Sequence, residues 1–336
     1  MKKKIRVFIN GFGRIGRCAG RIILDDDRFE LVGVNDLYSF EQMRYLFKYD
    51  SIYGSLDQNV ALSENNLVMK NSTVSLYNKS NPEEIALYDL DVDVLLECSG
   101  AFLTEEQNRA FLKNGAKKVV ISTPPKDEMK VFIYGINHKE YSNEKIISNS
   151  SCSANAIVPI FKIINDNFGI KRATMSMYHS YTSYQRLLDS KHYSSDIRRT
   201  RSAPLNIIPL LSSASEATAY FFPHLRGKLS AKSIRIPLSE TTLYHLFVHL
   251  DKKTDKKELE KIFLKEIESK YKQILDTTNL QNTSKFYLKS PFSATIDLNF
   301  LTVVEKDFLR VSAWQDNEYG YVKRLLDMAY EVGSTP

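Results

Sequence analysis

Cysteine is scarce in this chain of 336 residues: Cys18, Cys98 and Cys152 are its only thiols. So few, set so far apart, they exclude the disulfide framework of a small secreted domain. They also lack the spacing of a zinc site, so no metal is expected. No apolar run approaches the roughly 18 to 20 residues that a membrane span needs, and neither repeats nor low-complexity segments occur. The start, Met1-Lys2-Lys3-Lys4, is basic. The apolar stretch after it, Ile5 to Ile9, is too short for a signal peptide, contains Arg6 and runs into a glycine-rich turn. A reduced, cytosolic, non-membrane protein is the expectation. Charge of one sign is lacking too. The formal net charge is +6, and basic residues cluster only at Arg198, Arg199 and Arg201. Such a surface holds nucleic acid weakly at best, and an anionic small substrate accounts for the cluster equally well, so nucleic acid is not the expected partner.

Hydrophobic residues at 43% and charged residues at 26% make an ordinary globular balance, and the length predicts about two domains. Over the first 150 residues short apolar runs alternate with helical patterns. Strands are expected at Ile5–Ile9, Glu30–Val34, Val92–Glu97 and Lys118–Ser122, and helices at Ile15–Leu24, Phe40–Phe47 and Glu105–Asn114. Strand and helix in alternation imply an α/β, doubly wound parallel sheet. After Ser148 comes a long apolar helix, Ala154–Asn167. Longer strands follow at Ala173–Ser180, Ser233–Pro237, Leu243–Leu250 and Ala294–Val304, with a charged helix at Lys256–Lys272. This half reads as an α+β domain on a mixed or antiparallel sheet. The last helix, Tyr319–Val332, shows one apolar face and is expected to dock back on the first domain.

The first strand ends in Asn10-Gly11-Phe12-Gly13-Arg14-Ile15-Gly16-Arg17, a Gly-x-Gly-x-x-Gly spacing. Glycine-rich turns often serve packing alone. Here the motif follows a strand, opens a helix and stands 20 residues before Asp36, at the end of the second strand. Gly11 permits the tight turn, Gly13 lets backbone approach a pyrophosphate, and Gly16 lets helix and strand pack closely. The helix N-terminus then faces the phosphates, and Asp36 can accept bonds from ribose hydroxyls. Asp36 would repel a 2′-phosphate, which favours NAD over NADP; Arg14 and Lys48 could soften that repulsion.

Cys152 lies in Ser148-Asn149-Ser150-Ser151-Cys152-Ser153-Ala154-Asn155, at or near a helix N-terminus among small polar donors. Such a place lowers a thiol's pKa and makes it a nucleophile. A small buried cysteine beside an N-cap fits the spacing as well. His179 follows an alternating strand, and a lone histidine there can equally be structural.

Taken together, Asn10 to Arg17, Lys48-Tyr49-Asp50-Ser51, Ser148-Asn149-x-Ser151-Cys152, His179-Ser180-Tyr181-Thr182, Asp196 to Arg201 and Trp314-x-Asp316-Asn317-Glu318-Tyr319-Gly320-Tyr321 resemble the signature set of the phosphorylating glyceraldehyde-3-phosphate dehydrogenase family. The motifs come in the family's order and span the chain. The resemblance implies a dinucleotide-binding domain over 1–151, a catalytic domain over 152–317, a returning helix over 318–336, and a homotetramer. It implies an NAD-dependent enzyme, with NADP left open, that acts on a small phosphorylated aldehyde with inorganic phosphate. By motif, Cys152 resembles the nucleophile and His179 its base. Gly11, Phe12, Gly13, Arg14, Ile15, Gly16, Asp36, Ser122, Asn317 and Tyr319 match cofactor contacts, Asn317 as the holder of the nicotinamide carboxamide. Ser151, Ser153, Thr182, Arg199, Ser212, Ser213 and Arg235 match positions that bind the two phosphates; for Arg199 an ordinary ion pair is the competing reading.

The sequence also departs from the pattern. The family's second cysteine is here Ala156. Leu211-Ser212-Ser213 replaces Ser-Thr-Gly, so a close backbone approach to phosphate at Ser213 is in question. Tyr184 and Tyr53 replace residues that are often acidic and His. Leu238-Ser239-Glu240 replaces Thr-Pro-Asn, and the Ser190–Asp196 loop is longer, opening with Ser190-Lys191. These changes gather at the phosphate sites and spare thiol, base and glycine turn. Two alternatives follow: a changed aldehyde, as in erythrose-4-phosphate dehydrogenase, or a weakly active member kept for binding.

Overall fold

Residues 3–335 are described by the computed structural model. The chain divides into two compact units, one running to Ser151 and resuming at Val322, the other from Cys152 to Tyr321.

In the first unit, β1 (Ile5–Asn10) leads into α1 (Arg14–Leu24), β2 (Phe29–Asn35) and α2 (Phe40–Lys48). A two-residue ribbon, β3 (Tyr49–Asp50) with β4 (Gly54–Ser55), precedes β5 (Ala61–Ser63), β6 (Asn66–Met69) and β7 (Ser72–Tyr77). Then come β8 (Val94–Glu97), α3 (Glu105–Lys113), β9 (Lys118–Ile121) and β10 (Ile146–Ser148). The main sheet has the order β10-β9-β8-β1-β2-β7-β6-β5. It is parallel from β10 through β7, as the alternation of strand and helix implies. The β5–β6–β7 edge is antiparallel, which the sequence reading missed because these strands are short and half exposed. Phe8, Val32, Leu95, Phe111, Val119 and Ile121 form one buried cluster.

The closing helix α7 (Tyr319–Ser334) joins this unit through its later turns. Asp327 accepts from Arg28 at 2.9 Å, and Tyr330 meets Phe29 edge-on. Lys118 is 4% exposed, and its Nζ donates to the carbonyls of Val332 and Thr335 at 2.9 and 2.8 Å. The buried ammonium thereby satisfies carbonyls at the helix C-terminus, where a cation is favoured.

The second unit opens with α4 (Cys152–Phe168), followed by β11 (Ile170–Ser180), β12 (Ile208–Leu211), α5 (Ala214–Phe221), β13 (Leu229–Ile236), β14 (Thr242–Leu250), α6 (Lys256–Ser269), β15 (Leu275–Thr278), β16 (Ala294–Asp297), β17 (Thr302–Val304) and β18 (Phe308–Gln315). Its mixed sheet runs β12-β13-β11-β14-β18-β16-β15, with β17 beside β18. The single strand expected over Ala294–Val304 is two, broken by a 3-10 turn at Leu298–Phe300 where the Asp297 side chain accepts the Asn299 N–H at 3.1 Å. Along β14 burial alternates, with Thr242, Tyr244, Leu246, Val248 and Leu250 inward, so that Thr242 and Tyr244 present polar groups to the interior. Among the described residues no helix is long and apolar enough to cross a membrane.

The glycine turn yields a stability test. A Cβ on Gly16 would run into the Gly11 carbonyl oxygen, whereas one on Gly13 would meet nothing within 4 Å. Overpacking against backbone costs typically ~1–3 kcal/mol. Gly16→Ala is therefore expected to lower the thermal midpoint clearly, and Gly13→Ala to lower it far less. Equal losses in thermal unfolding would overturn this account of the turn.

Candidate active site

The glycine turn is built as the spacing requires. Gly11 sits at φ +89°, a conformation L residues avoid, and its Cα faces the Ser99 backbone too closely for a side chain. Gly13 is the N-cap of α1 in an ordinary extended conformation. Nothing in the fold requires glycine there, and the space a Cβ would fill stays open for a ligand. Asp36 ties the turn to the end of β2: its carboxylate accepts from Phe12 N and Leu37 N, both at 2.6 Å. Phe12 contributes backbone, since its ring is buried against Phe47, and Ile15 and Gly16 follow in the first turn of α1. Arg14 binds Asp50 at 2.5 Å, and Lys48 donates to the carbonyls of Leu56 and Gln58. Both cations that could offset Asp36 are thus engaged elsewhere. Ser122 is buried beyond β9, its N–H bonded to Glu97 O at 2.9 Å. A chain of side chains that the sequence did not reveal lies beneath the turn. Glu97 accepts from Ser99 and Asn10, Asn10 Oδ1 accepts from Asn35 at 2.7 Å, and Asn35 Oδ1 accepts from Lys79 N. Burial pushes the Glu97 carboxyl up to about 7.

In the second unit, Cys152 is the first residue of α4 and His179 stands near the end of β11. Their Sγ and Nε2 atoms are 3.9 Å apart. Two sequence-distant elements thus bring the expected nucleophile and base together. His179 is paired in register with Arg235 on β13 and with Thr242 on β14. Its Nδ1 lies 2.8 Å from the Ser180 carbonyl oxygen, which also accepts from Arg235 Nη1 at 2.8 Å. Arg235 Nη1 also lies 2.5 Å from Nδ1. A guanidinium only donates, so that contact asks for a lone pair on Nδ1 while the carbonyl asks for an N–H there; the base role takes the N–H on Nδ1, with the Nε2 lone pair facing sulfur. Burial first, and then the adjacent Arg235 guanidinium, push His179 down to about 3, so the ring is neutral. Burial pushes the Cys152 thiol up, against the pull of Arg235 and Ser153. The lowered thiol expected from sequence is thus not the net direction here: the proton rests on sulfur beside a ring ready to take it.

Arg235 carries an anion-binding signature. Its Nε is buried without a hydrogen-bond partner, and Arg199 exerts a like-charge field on it while stacking over the Tyr184 ring at 5.4 Å. Two guanidiniums in reach of each other favour an anion between them. Ser151 immediately precedes Cys152, and Ser153 bonds its sulfur, with its Oγ 3.4 Å from Tyr244 Oη. Thr182 donates locally to Gln185. Ser212 caps Ala214 N at 3.2 Å, and Ser213 takes φ −80°, so serine in place of the family's glycine is unstrained. Thr182 and Ser212 bond locally, whereas Arg235 and Ser153 are part of the Cys152 cluster. Asn317 Oδ1 accepts from Ser180 and Thr242 hydroxyls, each at 3.0 Å, which leaves its amide NH2 as the outward donor. Tyr319 begins α7 with its N–H on Asp316 at 2.7 Å.

The pattern for the NAD binding domain of glyceraldehyde 3-phosphate dehydrogenase matches residues 5–105, and that for its C-terminal domain matches residues 151–317. The chain belongs to the glyceraldehyde-3-phosphate dehydrogenase family. It is 38% identical over 330 residues to glyceraldehyde-3-phosphate dehydrogenase 2 of Nostoc sp., covering 97% of each chain. With glyceraldehyde-3-phosphate dehydrogenase of Geobacillus stearothermophilus it shares 36% identity over 332 residues and 98% of each chain. A chloroplastic glyceraldehyde-3-phosphate dehydrogenase of Arabidopsis thaliana is 37% identical over 333 residues, 97% of this chain and 83% of that one.

Sequence reasoning missed Tyr244 and Gln315. Tyr244 is fully buried and donates to Gln315 at 2.7 Å, and Gln315 Nε2 donates to the Cys152 carbonyl at 3.1 Å. The available signal was a tyrosine at an inward position of an alternating strand, where its hydroxyl must find a partner.

His179→Asn is expected to slow aldehyde oxidation by roughly a hundred- to ten-thousand-fold, the range for a general base, and Cys152→Ser to abolish it. A depressed histidine pKa removes stability as pH falls from about 6.5 toward 3, because the unfolded chain takes the proton first. The stability of His179→Asn relative to the parent should therefore rise over that window. A pH-independent difference would show that His179 is not held neutral.

Proposed function

We propose that this protein is a cytosolic, NAD-dependent phosphorylating dehydrogenase of D-glyceraldehyde 3-phosphate, which yields 1,3-bisphosphoglycerate through a thioester on Cys152. The observation that carries this reading is a neutral imidazole Nε2 3.9 Å from Sγ, beside a guanidinium whose buried Nε–H is unused. Sulfur attacks the aldehyde carbon as its proton passes to Nε2 and on to the carbonyl oxygen, giving a thiohemiacetal. Neutral again, His179 takes the hydroxyl proton as C–H cleavage leaves a thioester. NAD, when bound, supplies the hydride acceptor; Gly11 to Gly16, Asp36 and Ser122 would hold its adenosine and pyrophosphate, and Asn317, with Tyr319 near it in sequence, would hold its carboxamide. Phosphate then adds to the thioester carbonyl and expels Cys152 as thiolate, which recovers the proton from His179. Arg235, Arg199, Ser151, Ser153, Thr182, Ser212 and Ser213 are the candidates for the substrate and attacking phosphates.

Rates with glyceraldehyde 3-phosphate and erythrose 4-phosphate, each with NAD and NADP and with and without phosphate, test the proposal. A burst of NADH stoichiometric with Cys152, with turnover dependent on phosphate, is expected. No burst with either aldehyde would leave only a binding role. NAD is expected to be preferred, because Asp36 faces no free cation among the described Arg14 and Lys48. Asp36→Ala should narrow the NAD-to-NADP ratio in kcat/KM, and a parent enzyme that prefers NADP would refute the assignment. We further propose a homotetramer. Leu187, Leu188, Tyr193, Ile197, Leu205, Ile207 and Leu211 are all exposed within one segment, more apolar surface than a monomer leaves to water. Light scattering should give the mass of four chains, and a monomer would sink this part.

A further inference from the structure

Glu240 lies in the turn between β13 and β14, where the sequence departs from the family pattern, and it is 5% exposed. We propose that Glu240 is a positioning residue: its carboxyl clamps the Asp316–Asn317 peptide and thereby orients the Asn317 amide that presents the nicotinamide. This rests on the dehydrogenase reading for what Asn317 holds, while the clamp itself stands on its own geometry.

One carboxyl oxygen, Oε1, accepts the Asn317 backbone N–H at 3.1 Å. The side chain also bonds the Asp316 carboxyl. Asp316 is already committed as acceptor: Oδ1 takes Glu318 N and Tyr319 N at 3.0 and 2.7 Å, and Oδ2 takes Lys289 N at 2.7 Å. Three N–H groups already donate to Asp316, so the hydrogen of the carboxyl–carboxyl bond is placed on Glu240, which donates to Asp316 and accepts from Asn317. Three carboxyl groups, Glu240, Asp316 and Glu318, are all buried here. Burial, and then the negative fields of Glu318 and Asp316, push Glu240 well above the usual carboxyl range; the Cys152 thiol is the other titratable group in its reach. The next residue gives an independent sign. Thr241 is held at φ +81°, a region that β-branched residues enter only when their surroundings compel them. That twist lets Glu240 turn toward Asn317 while Thr242, two positions on, turns its hydroxyl to Asn317 Oδ1. Backbone and side chain of Asn317 are thus both fixed from one turn, with Ser180 as the third support.

A neutral clamp makes two predictions that a space-filling role does not. Gln carries an NH2 donor and a C=O acceptor in the same places, so Glu240→Gln preserves both bonds, while Glu240→Ala removes them. The first readout is thermal stability against pH and needs no cofactor. A raised folded-state pKa gives stability that is complete below the unfolded value of about 4.3 and is lost as pH rises toward the folded one. Glu240→Gln should therefore melt increasingly above the parent between about pH 5 and 9. A gap that does not change with pH overturns the proposal. The second readout is hydride transfer from an aldehyde deuterated at C1 to NAD. The parent and Glu240→Gln should label one face of the ring at similar rates. Glu240→Ala should be slower by roughly tenfold or more, as expected for loss of a buried hydrogen bond, and label both faces, with Cys152 alkylation at neutral pH unchanged. Single-face labelling at the parent's rate in Glu240→Ala, or impairment of Glu240→Gln equal to that of Ala, refutes the clamp. Should the parent itself transfer no label, the dehydrogenase reading falls, and the melting series alone decides the clamp.

Discussion

A half-buried cation beside a buried imidazole is the constraint around which the second unit is arranged. Arg235 and His179 are register partners on adjacent strands, and two positive charges cannot share that space. Burial first, and then this guanidinium, which keeps its proton under all ordinary conditions, leave the ring neutral. Burial, by contrast, keeps the proton on the Cys152 thiol at rest, against the pull of the same guanidinium. The unused Nε of Arg235 is the cost of the arrangement in the ligand-free protein and its purpose when an anion arrives. An incoming phosphate would satisfy that N–H and screen the Arg199–Arg235 repulsion, so anion binding and a usable base are coupled through one side chain.

The polar groups around this pair sit in a packed interior, where each must be bonded or be costly. Inward positions of β14 supply Thr242 to Asn317 and Tyr244 to Ser153 and Gln315, and Gln315 in turn holds the Cys152 carbonyl at the start of α4. The helix that carries the thiol is therefore pinned to the sheet that carries the base by side-chain bonds rather than by apolar contact alone. A difference of an ångström between Sγ and Nε2 would be expensive in rate, and rigid strands with satisfied networks are the elements that hold such tolerances.

How much of this could be read from the residues follows from the reach of each signal. Gly11 and Gly16 announce themselves because a left-handed backbone and close approaches exclude other residues locally, while Gly13 shows only through the spacing. The main helices and central strands show in periodicity within a few residues of their observed ends. Cys152 and His179 became a pair only through the motif set, since β11 is needed to bring them within 4 Å of each other. Tyr244, Gln315 and Glu240 were silent: an inward tyrosine or a buried glutamate looks like an ordinary strand or turn residue until the facing element is known. The lowered thiol pKa expected of a helix N-terminus was outweighed by burial, a property of the whole fold that no local window contains. The antiparallel β5–β6–β7 edge was hidden for the opposite reason, its strands being too short and too exposed to carry a pattern.

The departures from the family pattern are distributed in a way that the architecture explains. Ser190–Asp196, Tyr184, Ser212 and Ser213 lie in or next to the long segment between β11 and α5, which is mostly turns and carries the exposed apolar residues. Loops on a rigid frame accept substitution because few buried bonds depend on them, and Ser213 shows it, a side chain standing without strain where the pattern has glycine. Cys152, His179, Arg235 and Thr242 lie on α4 and the central strands, where a change of residue would orphan a buried partner. These loops can therefore change while the frame that holds Cys152 and His179 stays fixed. Two departures test this division: Ala156, buried on α4, orphans no polar partner, and Glu240, inside the buried polar network, is tolerated because its carboxyl enters as a neutral, doubly bonded group rather than as a charge.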